Sequence, residues 1–138
     1  MTADINADAQ RGFLTIDLVG CVATTDGAMG SILNPEGVHV MVLRSWLHVK
    51  TPSTAAATIG VGIGASATTH CHDLIDALAI DGAITAKVYN GSTIQTTTKT
   101  EVGAPAVWGE DEYLVFTSNT NSSIGFTGEY FVEYVRLA

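Results

Sequence analysis

Val38-His39-Val40-Met41-Val42-Leu43-Arg44-Ser45-Trp46-Leu47-His48-Val49-Lys50 carries the longest strand signal in the chain. Met41, Leu43, Leu47 and Val49 fall on one face, interrupted by Ser45. Arg44, Trp46, His48 and Lys50 fall on the other. A period of two held this long is that of a pleated strand, because a helix brings every third and fourth residue to one side. Thr51-Pro52-Ser53-Thr54 ends the run, since proline offers no N–H to a ladder.

Downstream, Thr58-Ile59-Gly60-Val61-Gly62-Ile63-Gly64 alternates in another way. Ile59, Val61 and Ile63 share one face, and glycines occupy the other. Glycine weakens a strand, so this row implies close packing by another backbone or a bulky side chain, or a strong bend. The spacing is wrong for a phosphate-binding turn, which needs G-x-G-x-x-G opening a helix. Upstream, Phe13 to Val22 reads as a strand with Leu14, Ile16 and Leu18 inward and Phe13, Thr15, Asp17 and Val19 outward. Thr24-Thr25-Asp26-Gly27 and Asn34-Pro35-Glu36-Gly37 read as turns.

The spacing of Leu74, Ile75 and Leu78 predicts a short helical or irregular segment near 73–79. Ile84–Tyr89 and Ser92–Glu101 read as strands around the hairpin dipeptide Asn90-Gly91. Glu110-Asp111 marks a turn before the strand Tyr113–Ser118, and a polar loop follows over 119–123. The last strand, Gly128–Leu137, is apolar on both faces. Tyr130, Val132 and Tyr134 are expected inward, with Phe131, Val135 and Leu137 on the opposite side, where a partner can cover them. Seven or eight strands without βαβ alternation predict an all-β fold, an antiparallel sandwich or barrel. Residues 1–11 read as a flexible N-terminal arm and 12–138 as one domain.

Composition agrees. Thr, Val and Ile supply 41 of 138 residues, and these β-branched types favour sheets. Apolar residues make up 46% and charged residues 14%, which excludes disorder as the main state. The net charge is −8, and the cations Arg11, Arg44, Lys50, Lys87, Lys99 and Arg136 are scattered. That distribution argues against nucleic acid and against anionic membrane surfaces as partners. The first residues carry neither a basic region nor an apolar stretch, so no secretory signal is expected. Cys21 and Cys71 do not make a disulfide framework and read as small buried apolar groups.

His70-Cys71-His72-Asp73 is the one cluster of metal-ligating type. With Gly64 separated from His70 by a five-residue gap, it resembles the first metal motif of the cupins. The acidic ligand would have to be Asp76, and no His follows His72 to serve a second motif; His39 and His48 lie upstream. A cupin-like metalloenzyme using His70 and His72 therefore ranks below a polar loop, and neither a cofactor nor a catalytic metal is expected. Glu110, Asp111 and Glu112 read as a solvated turn, not as paired catalytic carboxylates. No G-x-S-x-G elbow is present, and no enzyme is expected. Asn90-Gly91-Ser92 and Asn121-Ser122-Ser123 match the glycosylation pattern by chance. Arg44 beside Trp46 on the polar strand face suggests an interface, because both types are enriched at binding hot spots.

Three stretches carry a resemblance to a family. They are Trp46-Leu47-His48-Val49-Lys50-Thr51-Pro52-Ser53-Thr54-Ala55-Ala56-Ala57-Thr58-Ile59-Gly60-Val61-Gly62-Ile63, then Asp73-Leu74-Ile75-Asp76-Ala77-Leu78, and the closing Tyr134-Val135-Arg136-Leu137. From about Leu43 onward the chain resembles small jelly-roll virion proteins of tailed bacteriophages, of the head decoration or cement type. The resemblance implies a jelly-roll sandwich with no catalytic residues. It also implies a homotrimer on the capsid exterior, assembled in the bacterial host cytoplasm, with the major capsid protein as partner. Arg44, Trp46, His48, Phe131, Val135 and Leu137 are then the expected oligomer or capsid interface. The alternative is a carbohydrate- or receptor-binding module of a tail fibre or spike, with Trp46 and Trp108 against the sugar.

Overall fold

The computed structural model describes residues 10–23, 25–82, 88–90 and 106–137. Nine strands follow one another in these residues: β1 (Arg11–Val19), β2 (Thr25–Leu33), β3 (Val40–Thr51), β4 (Thr58–Gly64), β5 (Ile75–Ala79), β6 (Val88–Asn90), β7 (Ala106–Trp108), β8 (Tyr113–Thr120) and β9 (Thr127–Arg136). One sheet has the order β1-β9-β3-β6, with β7 also paired to β3; the other has the order β2-β8-β4-β5. All strand pairings are antiparallel. β6 lies against Trp46–His48 and β7 against Val40–Val42, so the two short pieces run end to end along one edge of β3. The protein is an all-β antiparallel sandwich. Among the described residues no helix is long and apolar enough to cross a membrane.

The core is the layer between the sheets. Ile16 and Leu18 of β1 are buried in it, with Leu14 packed against them, as their alternation predicts. Tyr130, Val132 and Tyr134 of β9 point inward too. Ile59, Val61, Leu114 and Phe116 face them from the other sheet. Phe116 meets the Tyr130 ring edge-on, with centroids 5.3 Å apart. Burying each such side chain contributes about 1.5–3 kcal/mol relative to leaving it in water.

Three local readings need correction. In β3 the register passes from Val42↔Tyr134 to Arg44↔Glu133, so Leu43 is the extra residue of a β-bulge. The bulge switches faces: Val40 and Val42 point inward before it, and Ser45, Leu47 and Val49 after it. Met41 and Leu43 therefore do not share a face with Leu47 and Val49. Ser45 is no interruption, because its buried hydroxyl lies 2.7 Å from the Tyr130 hydroxyl and the two share a hydrogen bond.

The segment near 73–79 is not helical. Ile75–Ala79 is the edge strand β5, and its register passes from Ile59↔Leu78 to Val61↔Ile75. Asp76 and Ala77 together oppose Gly60, with Ala77 at φ 52°. The bulge turns a spacing of two into one of three, which mimics a helical face. Of the turn expected over Thr24–Gly27, Thr24 lies outside the described residues, and Thr25–Gly27 belong to β2 instead, with Asp26 at φ 46°.

Asn34–Gly37 is a turn, with Gly37 at φ 65°. The Asn34 amide donates to Val38 O, Trp108 O and Gly109 O at 2.9–3.0 Å, tying this turn to the end of β7. The expected arm lies outside the described residues up to residue 9, and Arg11 already belongs to β1. Of the hairpin expected around Asn90-Gly91, only β6 lies within them.

Candidate interaction surface

The outward face of β1, β9 and β3 gathers five of the expected interface residues. Its rows follow from the registers: Phe13↔Glu133↔Arg44, Thr15↔Phe131↔Trp46 and Asp17↔Glu129↔His48. A further row joins Arg11, Val135, Met41 and Val107 across β1, β9, β3 and β7. Arg44, Trp46, His48, Phe131 and Val135 thus share one surface. Leu137 lies past the end of β9, exposed, with its N–H bonded to His39 O at 2.9 Å.

An aromatic band crosses the middle of this face. Phe13 is 58% exposed and its ring centroid lies 6.1 Å from that of Phe131. Trp46 continues the band on β3, under the Arg44 guanidinium at 5.1 Å from the ring centroid. Charges flank the band in compensated groups. Arg44 Nε donates to Glu133 Oε2 at 2.5 Å. Lys50 Nζ lies 2.7 Å from Glu129 Oε1 and 3.7 Å from Asp17 Oδ1, and His48 Nδ1 lies 3.3 Å from Glu129 Oε2. Hydrogen bonding from Lys50, then from His48, holds the Glu129 carboxyl below the usual carboxylate range. Such a surface is apolar at its centre and paired in charge at its sides, which suits it to covering by a protein. Phe13, Met41 and Val107 were not identified as members. Phe13 shows the outward parity, but only the strand register reveals which side chains become neighbours.

The opposite sheet explains the glycine row. Residues 65–73, a strap between β4 and β5, fold back over the outward face of β4. A Cβ on Gly62 would lie 2.6 Å from the Cys71 carbonyl carbon, and one on Gly64 would lie 2.8 Å from Cys71 Sγ. Of the expected alternatives, the row permits close approach of another backbone at Gly62 and of side chains at Gly60 and Gly64. Asp73 anchors the strap by accepting the Ile63 N–H at 3.0 Å. His70 Nδ1 pairs with Asp26 Oδ1 of β2 at 2.7 Å. Cys71 and Cys21 are free thiols, each half-buried. Burial, then the charges of Asp73 and Glu112, pushes the Cys71 thiol up.

Among the described residues no group of three or more His, Cys, Asp or Glu side chains is placed to hold a metal ion. His39 and Val107 line a hollow of about 420 Å³ with Gly109, Glu110, Asp111 and Glu112. Glu112 is committed to the turn there, accepting the Gly109 N–H at 2.7 Å. Trp108 is fully buried and donates its indole N–H to Glu112 O, so it offers no ring to a sugar. The Asn121 amide donates to Ala56 O, and its φ of 57° makes this residue a corner of the β8–β9 loop.

No protein-family model matches the chain, and a search of curated proteins finds no match.

Proposed function

We propose that this chain is a non-enzymatic structural protein of a bacteriophage virion, which coats the outside of the capsid as a symmetric oligomer, a homotrimer, and stabilises the shell. The observation that carries the reading is the outward face of β1, β9 and β3, with Phe13, Phe131 and Trp46 in one band between compensated charges. The phage assignment rests on the sequence resemblance over Trp46–Ile63, Asp73–Leu78 and Tyr134–Leu137.

Strand order supports the jelly-roll part of this reading. With β6 and β7 counted as one interrupted edge strand, the first, third, sixth and last strands form one sheet and the others form the second. Two rolled-up Greek keys produce that order. A protein that binds the assembled lattice more tightly than its free parts stabilises it by mass action, and a trimer multiplies modest contacts into avidity. The tail-fibre alternative is weakened, because Trp108 is buried and Arg44 covers Trp46.

Native mass measurement of the purified chain and electron microscopy of the parent particle test the proposal. A trimer in solution and density for the sandwich on the capsid exterior are expected. A monomer absent from virions would defeat it.

A further inference from the structure

We propose that His70 and His72 together bind one divalent transition-metal ion of the zinc class. This site lies on the sheet opposite the interaction surface, and it stands whether or not the chain coats a capsid.

Unpaired polar atoms point to it. Among the described residues, the buried side-chain nitrogen and oxygen atoms without a hydrogen-bond partner are His70 Nε2, His72 Nδ1 and Asn119 Oδ1. Buried polar atoms in folded proteins are nearly always satisfied, so a concentration of exceptions asks for a missing partner. These three lie under or along the strap. The Cβ position of Gly60 is 3.0 Å from Asn119 Oδ1 and 3.4 Å from Cys71 O, so the Asn119 side chain and the strap meet over this glycine.

The two imidazoles are neighbours, and one of them has a carboxylate behind it. Asp26 engages His70 Nδ1 at 2.7 Å, which keeps the proton on that nitrogen and leaves the Nε2 lone pair free. A carboxylate behind a histidine is the usual outer support of a metal-bound imidazole. The two rings meet edge-on, with centroids 4.5 Å apart and an interplanar angle of 76°. Two imidazoles on one ion, with bonds of about 2.0–2.1 Å, hold their ring centres roughly 4.5–5 Å apart. Asp76 Oδ1 stands 3.8 Å from His72 Nδ1, too far for a hydrogen bond, and its charge favours a cation at that nitrogen.

Backbone packing pre-positions the pair. Cys71, between the two histidines, is seated on Gly62 and Gly64, and Leu74 N–H bonds Val61 O at 3.0 Å behind them. Imidazole donors select zinc, copper or nickel over magnesium and calcium. Among the described residues no third side chain of the His, Cys, Asp or Glu type encloses the ion. With two protein ligands and water in the remaining positions, binding is expected to be weaker than at a closed structural site.

Zinc titration of the full-length, tag-free chain, followed by the imidazole ¹⁵N resonances, tests the assignment. Saturation at one ion per chain is expected, with His70 and His72 signals shifting while those of His39 and His48 stay. Magnesium should move none of them. His70→Gln and His72→Gln should each weaken zinc binding at least tenfold, and Asp26→Asn by about 10–100-fold, the usual effect of losing an outer partner. His39→Gln should leave it unchanged. If zinc produces no saturable shift at His70 and His72 in the unaltered chain, or binds undiminished to the double variant, the site does not exist.

Discussion

Cys71 lies on Gly62 in direct backbone contact: a Cβ at residue 62 would sit 2.6 Å from the Cys71 carbonyl carbon, its Cβ and the His72 nitrogen. The neighbours are main-chain atoms of a strap anchored at both sides, so they cannot turn aside as a flexible side chain would. Gly62→Ala should therefore cost about 1–3 kcal/mol, the usual range for overpacking. Urea unfolding checks it: the midpoint should fall with an unchanged slope. An unshifted midpoint would mean that the strap lifts freely.

Ala77 invites the reverse change. It occupies the left-handed region at φ 52° because the β5 bulge requires it. An L side chain there costs roughly 1–2 kcal/mol, and glycine does not carry that cost. Ala77 is exposed, so no packing is lost on substitution. Ala77→Gly should stabilise the fold by about 0.5–1 kcal/mol, less than the full strain because glycine also gains freedom in the unfolded chain. Thermal and urea unfolding of the variant would register the gain.

The same bulge shows where sequence reading stops. Period-two alternation made β1 and β9 legible, with Ile16 and Leu18 inward and Phe131 and Val135 outward, because neither strand carries an irregularity in the register they share. A bulge inserts one residue, and nothing in local hydropathy marks it. Leu43 in β3 and the Asp76-Ala77 pair in β5 therefore shifted their neighbours' faces without warning. The interaction surface was half legible. Arg44 and Trp46 were marked by residue type, whereas Phe13 joins them only through long-range pairing with β9. The His70–Asp26 pair was hidden for the same reason, since Asp26 looked like a turn residue.

Ser45 and Tyr130 are both fully buried and share a hydrogen bond of 2.7 Å between the sheet's two central strands. Burial pushes the Tyr130 phenol well above its ordinary value, so it stays protonated and neutral. Tyr130→Phe leaves the Ser45 hydroxyl unsatisfied and should cost about 1–3 kcal/mol, and Ser45→Ala should cost a similar amount by orphaning the phenol. The double variant should cost less than the sum, because neither partner is then left alone. Strict additivity across the cycle would show that the pair is uncoupled.

Acid should loosen the Asn34–Gly37 turn. Glu36 accepts from Arg136 Nε at 2.6 Å and Nη2 at 2.8 Å, and from the Tyr134 hydroxyl, which fastens the turn to β9. The Arg136 guanidinium first, and the Tyr134 hydroxyl second, hold the Glu36 carboxyl below its ordinary value. A carboxyl with a depressed folded value stabilises the fold fully above its unfolded value, roughly pH 4.3, and the stabilisation is lost as pH falls through the folded value. The urea midpoint of the unaltered chain should thus drop below about pH 4.5 more steeply than that of Glu36→Gln. Parallel pH profiles for the two proteins would exclude Glu36 as a source of acid sensitivity.

The aromatic band gives the proposed assembly a direct test. Phe131 and Trp46 lie side by side on the outward face, away from the core, so changing them should leave the folded chain intact. Aromatic residues at the centre of a protein interface contribute about 2 kcal/mol or more each when truncated, a loss of roughly 30-fold in affinity. Trp46→Ala and Phe131→Glu should each weaken self-association or particle binding by at least that factor, and the glutamate should do more, because it buries a charge beside Glu129 and Glu133. Ala28→Ser, exposed on the opposite sheet, should change neither property. Sedimentation and particle-binding measurements, with circular dichroism to verify folding, separate the outcomes. Undisturbed assembly in both aromatic variants would move the contact to another face of the sandwich.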